Sequence, residues 1–313
     1  MGIEKLKTVL KSPNRSFELK TPVLGASGTY GYNNEFEDFI NIEYLGGVVT
    51  KGITLEKRLG NKGDRIFETT SGMINRIGLE NVGIDCFIKE KLPVLKEKNI
   101  DFILNMAGSS FEDYEKLATI VNDNDIKAIE VNVSCPNVNS GCLEFGKNPK
   151  TLEELVKKIR NNYDGFLIVK LSPNVSDIRS LALAVQNAGA DCISAINTLH
   201  GLGIKLNYNG KTFTKKSVQG GLSGRCVKPV SLYYVNQIKN TVDIPIIAIG
   251  GIATMNDVFE FISVGADAVQ IGTENFTNPS VISDIAVNIE KFMDKNNFKD
   301  FEDLKCKIRL EEE

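Results

Sequence analysis

The stretch Ile244-Pro245-Ile246-Ile247-Ala248-Ile249-Gly250-Gly251-Ile252, followed by a helix-period segment and then Ala268-Val269-Gln270-Ile271-Gly272-Thr273, decides the fold. Each half is a short apolar, β-branched run that ends in a glycine turn, as a strand buried on both faces of a parallel sheet does. Working outward, six more runs of this kind occupy 22–25, 47–50, 102–106, 128–133, 166–171 and 192–196. Amphipathic segments with apolar residues three and four apart separate most of them, at 85–98, 110–122, 151–161, 176–188, 228–240, 255–264 and 280–293. Eight strands alternating with about eight helices predict the α/β class and a (β/α)8 TIM barrel, with residues 1–313 as a single domain. Two connections, 52–84 and 197–227, are longer than the usual loop, and the second carries Asn209-Gly210, a hairpin-turn signal. Small β excursions over the C-terminal mouth are expected there.

Composition narrows the class of function. With 313 residues, 42% hydrophobic and 25% charged, the chain reads as an ordinary soluble globular protein. Its net charge is −3 with scattered Lys and Arg, so no basic footprint for nucleic acid is present. The start, Met1-Gly2-Ile3-Glu4-Lys5-Leu6, lacks the apolar core of a signal peptide, and no apolar run approaches the roughly 18 residues of a membrane span. A cytoplasmic location is expected. Six cysteines show neither CxxC pairs nor a regular framework, which argues against a disulfide scaffold, a zinc site or an iron–sulfur site on this chain. Five of them read as packing residues.

The sixth is Cys135, in Asn132-Val133-Ser134-Cys135-Pro136-Asn137. Pro136 cannot continue a ladder, so the thiol is expected to leave the barrel wall at a loop, where it can reach a ligand. In a (β/α)8 barrel the residues that follow each strand converge on one mouth. Here they run Ala26-Ser27-Gly28, Lys51-Gly52, Asn105, Asn132 with Cys135, Lys170, Asn197-Thr198, Gly250-Gly251 and Gly272-Thr273. The last two pairs are glycine turns after strands seven and eight, where backbone N–H groups and helix N-termini commonly bind phosphate; tight turns without a ligand are the plainer reading. Asn75, Asn132 and Asn197 each offer an acceptor and two donors, suited to a planar ligand with amide and carbonyl edges, although a lone loop Asn is often only a turn former. Lys51 and Lys170 could hold negative charge, with surface ion pairing as the alternative. Gly201-Leu202-Gly203 lacks the strand–turn–helix context of a dinucleotide fingerprint, so a phosphate site of flavin-mononucleotide size is the better expectation. The single histidine, His200, has no partners for a triad or a metal site.

Together these residues resemble class 1 dihydroorotate dehydrogenase. The resemblance spans nearly the whole chain and rests on Ala26-Ser27-Gly28, Thr50-Lys51-Gly52, Asn75-Arg76-Ile77-Gly78-Leu79, Asn132-Val133-Ser134-Cys135-Pro136-Asn137, Val169-Lys170-Leu171-Ser172-Pro173, Ile196-Asn197-Thr198, Gly220-Gly221-Leu222-Ser223-Gly224, Gly250-Gly251 and Gly272-Thr273. It implies FMN-dependent oxidation of (S)-dihydroorotate to orotate in pyrimidine biosynthesis, with Cys135 taking the C5 proton and FMN the C6 hydride. It assigns Lys51, Asn75, Arg76, Ile77, Gly78, Leu79, Asn132, Asn197 and Thr198 to substrate. It assigns Ser27, Lys51, Gly52, Asn105, Asn132, Lys170, Ile196, Gly224, Gly250, Gly251, Gly272 and Thr273 to FMN. Cysteine as the base and the absence of an N-terminal membrane segment point to class 1 rather than class 2. The Asn197-Thr198-Leu199 loop and the Gly-Gly-Leu-Ser-Gly run look like the NAD-linked type, which passes electrons to a second subunit carrying FAD and a [2Fe–2S] cluster, in a heterotetramer. The chain departs from the family's pattern at Arg76 and His200. A fumarate-using homodimer of the same class, a non-redox barrel aldolase or isomerase with Lys170 as Schiff-base lysine, and a non-catalytic binder of a phosphorylated ligand are the competing readings.

Overall fold

The computed structural model describes residues 2–32, 39–98, 100–134 and 145–309. Its strands, in chain order, are β1 (Thr8–Lys11), β2 (Ser16–Leu19), β3 (Val23–Gly25), β4 (Val48–Val49), β5 (Ile66–Thr69), β6 (Gly72–Asn75), β7 (Phe102–Met106), β8 (Ala128–Asn132), β9 (Phe166–Leu171), β10 (Cys192–Ala195), β11 (Leu199–Tyr208), β12 (Phe213–Ser223), β13 (Ile246–Ile249) and β14 (Ala268–Ile271). The helices are α1 (Ile84–Cys86), which passes through a π-helical turn into α2 (Leu92–Glu97), then α3 (Phe111–Asp123), α4 (Pro149–Asn161), α5 (Ile178–Asn187), α6 (Lys228–Lys239), α7 (Met255–Ser263), α8 (Val281–Lys295) and α9 (Phe301–Arg309).

Eight strands close into a parallel barrel in the order β10-β13-β14-β3-β4-β7-β8-β9, and every apolar run singled out from the sequence supplies one of them. The edges contract where chemistry demands it: Pro245, which has no N–H for a ladder, stays outside β13. Helices start where side chains can cap them. Ser110 accepts from Asp113 N, Asn148 from Lys150 N and Thr151 N, and Thr254 forms a reciprocal capping box with Asp257.

Two additions close the ends of the barrel. At the N-terminal end the antiparallel hairpin β1–β2 inserts Leu10 and Leu19 among Leu24, Val49, Ile103, Ile168 and Ile247, filling the lower interior. A cavity of about 1040 Å³ opens beside this hairpin, lined by Phe17, Asp101, Lys127 and Phe166, far from the strand ends where barrel chemistry resides. At the C-terminal end β11-β12-β6-β5 form one antiparallel sheet, so the two expected excursions are joined through the pairing of Gly221 with Asn75. The Asn209-Gly210 turn connects β11 to β12, with Gly210 at φ +89 and the Asn209 side chain accepting from Lys211 N and Thr212 N. Beyond the mouth this hairpin exposes Leu202, Ile204, Leu206, Tyr208 and Phe213. No helix of the described residues is long and apolar enough to cross a membrane.

The reading of five cysteines as packing residues needs correction. Cys192 is fully buried, and burial pushes its thiol well above the ordinary range. Cys86 is half-buried, whereas Cys226 and Cys306 are exposed because they fall on outward positions of a short 3-10 turn and of α9. Cys142 lies outside the described residues.

Candidate active site

The floor of the mouth is organised around a carboxylate that the sequence reading did not single out. Glu130, in the middle of β8, is fully buried. Its Oε1 accepts from Asn105 Nδ2 of β7 at 2.7 Å and lies 3.3 Å from Lys170 Nζ of β9, and its Oε2 accepts from Ser194 Oγ of β10 and Gln270 Nε2 of β14, both at 2.8 Å. Since β8 and β14 lie four positions apart in the ring of eight, the contact with Gln270 places the carboxylate at the barrel axis. A carboxylate accepts at about four lone-pair positions, and here four donors occupy them. Burial of this charge is tolerated because a cation and three neutral donors surround it.

Above this floor stand the residues expected at the strand ends. Asn132, closing β8, accepts at Oδ1 from Ser134 N at 3.1 Å and from Asn197 Nδ2 at 3.3 Å, while its backbone carbonyl accepts from Tyr114 OH at 2.7 Å. Asn197 Oδ1 in turn accepts from Thr198 N at 2.8 Å, and Asn174 Nδ2 donates to Thr198 O at 2.8 Å. Two of the three asparagines therefore touch. Asn75, the third, sits in the cover sheet and donates from Nδ2 to Gly221 O at 3.2 Å. Glycine at 220 and 221 is what lets the cover close: a Cβ on Gly220 would stand 2.0 Å from Asn75 O, and one on Gly221 would stand 2.1 Å from Thr198 Oγ1. Lys170 is 8% exposed in its side chain, and Lys51 is half-buried with Nζ 3.8 Å from Glu80 Oε2. The Arg65 guanidinium shares that carboxylate.

From Asn75 the chain returns to the barrel through Arg76, Ile77, Gly78 and Leu79. Gly78 and Leu79 both lie in the left-handed region, at φ +77 and +54, an arrangement that costs energy at Leu79. Leu79 reaches the mouth, since a Cβ on Gly52 would lie 3.4 Å from Leu79 Cδ2 and 2.9 Å from Asn105 Oδ1. Arg76 is exposed and takes part through its backbone, with N donating to Arg65 O and O accepting from Asn61 Nδ2. His200 is also exposed.

On the other side of the mouth Ile196, Gly250, Gly251, Gly272 and Thr273 follow β10, β13 and β14, and Ser27 follows β3. Gly250 and Gly251 have φ +127 and +78, with the N-terminus of α6 closed against them: a Cβ on Gly251 would meet Lys228 N at 2.7 Å. Gly224 packs on Gly72, and Thr273 Oγ1 donates to Ser223 Oγ at 2.8 Å, so the cover sheet is tied to this rim. Lys228 pairs with Asp257 at 2.6 Å. Burial alone would raise the Asp257 carboxyl, but the Lys228 ammonium and the donors of Ala253 and Thr254 outweigh it and hold it below the usual carboxylate range. Cys135 lies outside the described residues.

A test of whether this mouth suits a flavin is which of its buried polar atoms lack partners. Asn105 Oδ1 and Gln270 Oε1 are buried and have no hydrogen-bond partner among the described residues. Two free acceptors beside a lysine ammonium suit the N–H and C=O edge of a pyrimidine-like ring. The crowded glycine turn at 250–251 is a backbone cradle of the kind that holds phosphate. The residues present fit FMN.

Fold and site together define a (β/α)8-barrel protein whose polar, sheet-covered mouth offers two unpartnered amide acceptors beside a buried lysine. Comparison with known proteins agrees: the sequence model of the family described as Dihydroorotate dehydrogenase matches residues 9–293. The chain is 45% identical over 288 residues, 92% of this chain and 94% of the relative, to the Dihydroorotate dehydrogenase B (NAD(+)), catalytic subunit, of Bacteroides thetaiotaomicron. It is 44% identical over 288 residues to the protein of that description from Geotalea daltonii, with coverage of 92% and 94%, and 43% identical over 291 residues to that from Porphyromonas gingivalis, with coverage of 93% and 94%. This chain belongs to the dihydroorotate dehydrogenase family.

Replacement of Gly251 with Ala tests whether this turn serves as a phosphate cradle. The left-handed φ and the contact with Lys228 N disfavour a Cβ, at a cost of about 1–3 kcal/mol. The purified variant is expected to melt lower and to retain several-fold less flavin than the parent, as read by thermal unfolding and by the flavin-to-protein absorbance ratio.

Proposed function

We propose that this protein is the catalytic subunit of an NAD-linked dihydroorotate dehydrogenase that oxidises (S)-dihydroorotate to orotate in pyrimidine biosynthesis. The observation that carries the reading is the mouth itself: a buried Lys170–Glu130 pair and two unpartnered amide carbonyls, with the paired Asn132 and Asn197 at the strand ends, in a chain of this family. FMN, when bound, supplies the acceptor for the C6 hydride. Ser27, Lys51, Gly52, Asn105, Asn132, Lys170, Ile196, Gly224, Gly250, Gly251, Gly272 and Thr273 hold that cofactor in this reading, Lys51 and Asn132 also facing the substrate. Lys51, Asn75, Asn132, Asn197 and Thr198, with the backbone from Arg76 to Leu79, bind and orient the substrate. Cys135 takes the C5 proton, and the cover sheet keeps water from the reacting face.

The relatives' designation as a catalytic subunit supports a separate partner subunit. In this reading the partner is an electron-transfer subunit that carries FAD and a [2Fe–2S] cluster and joins this chain in a heterotetramer. The described residues hold no group of three or more His, Cys, Asp or Glu placed to bind a metal ion. The experiment is an acceptor assay on the purified chain with dihydroorotate. NAD reduction that needs a co-expressed partner, together with fumarate failing as oxidant, bears the reading out. Fumarate supporting turnover by the chain alone would instead make it a fumarate-dependent homodimer.

A further inference from the structure

We propose that Glu130 is a positioning residue that fixes the polarity of the flavin-binding floor, and that Gln270 is a further ligand-binding residue there. The inference deepens the flavin reading and rests on it. Glu130 can only accept hydrogen bonds while ionised, so the amides of Asn105 and Gln270 must turn their NH2 groups toward it. Their carbonyl oxygens are then forced away from the carboxylate, and both are the buried atoms left without partners. One carboxylate thereby sets the orientation of two amides from β7 and β14 and anchors the Lys170 ammonium from β9. Ser194 supplies a further donor to the carboxylate, and a flipped amide would set its carbonyl oxygen against a carboxylate oxygen, acceptor against acceptor. A ligand in the mouth meets two fixed acceptors and one cation, a pattern that recognises a ring N–H beside a carbonyl. Gln270 is fully buried and its carbonyl has no structural duty, which a purely packing role for a glutamine in an apolar strand does not explain.

The negative charge of Glu130 also offsets the positive charge of Lys170, 3.3 Å away. Its removal leaves the lysine charge uncompensated beside the flavin and favours the reduced, more negative ring. The test is the midpoint potential of the FMN-loaded Glu130→Gln variant, determined by equilibrium dye titration. A positive shift of about 30 mV or more, about tenfold in the reduced-to-oxidised ratio of a two-electron couple, supports the proposal. Glu130→Asp, which keeps the charge, should stay near the parent potential. An unchanged potential in a flavin-containing E130Q variant overturns the proposal while leaving the flavin reading intact; a parent protein that binds no FMN overturns the flavin reading itself. Should E130Q fail to fold, Gln270→Leu decides between the outcomes: FMN titrated into stripped protein is expected to bind about tenfold more weakly than to the parent, and equal binding would overturn the assignment.

Discussion

Replacing Lys170 with Met is expected to destabilise the protein by about 3–5 kcal/mol, the cost of leaving a buried carboxylate without its cation. Glu130 is fully buried and Lys170 is its one ion-pair partner among the described residues, so solvent cannot take over the role. Three neutral donors remain, from Asn105, Ser194 and Gln270, and they set the loss at this range rather than higher. The double variant Lys170→Met with Glu130→Gln should recover much of the loss, because removing both charges eliminates the uncompensated one. A double-mutant cycle on chemical denaturation midpoints measures this coupling, and additivity within about 0.5 kcal/mol would show that the two side chains do not act as a pair.

The second large effect is at Cys135. Its replacement by Ala is expected to lower the rate of dihydroorotate oxidation by about 10²–10⁴-fold, the usual contribution of a positioned base, with flavin content retained. A thiol ordinarily titrates near 8.5 and acts as base only when ionised. The rate of the chemical step in the parent should therefore rise as pH is raised through neutrality toward alkaline values. A flat profile between pH 6 and 9, with chemistry rate-limiting, would remove Cys135 from the role.

The barrel was legible because its strands are buried on both faces, and such strands are written as near-continuous apolar runs broken by glycine turns. That same property hid the floor of the site. Glu130 and Gln270 sit inside the runs Ala128–Asn132 and Ala268–Ile271, and only their charge or polarity in an apolar context marked them. The role of each depends on contacts across the barrel, which no local pattern records. The Asn209-Gly210 turn announced the β11–β12 hairpin, yet its pairing with β6 joins residues 146 positions apart at Asn75 and Gly221 and could not be read from either segment. The β1–β2 plug and α9 were missed for a related reason. The strands of the plug are four residues each, and α9 is held by burial of Phe301 and Leu304 and by Lys305 and Arg309 on Asp267.

Anaerobic mixing of the FMN-loaded chain with (S)-dihydroorotate, followed by flavin absorbance, tests the central claim most directly. The account predicts bleaching of the oxidised flavin band with formation of one equivalent of orotate per flavin, in the absence of any partner subunit or NAD. A flavin band unchanged by saturating dihydroorotate would contradict it.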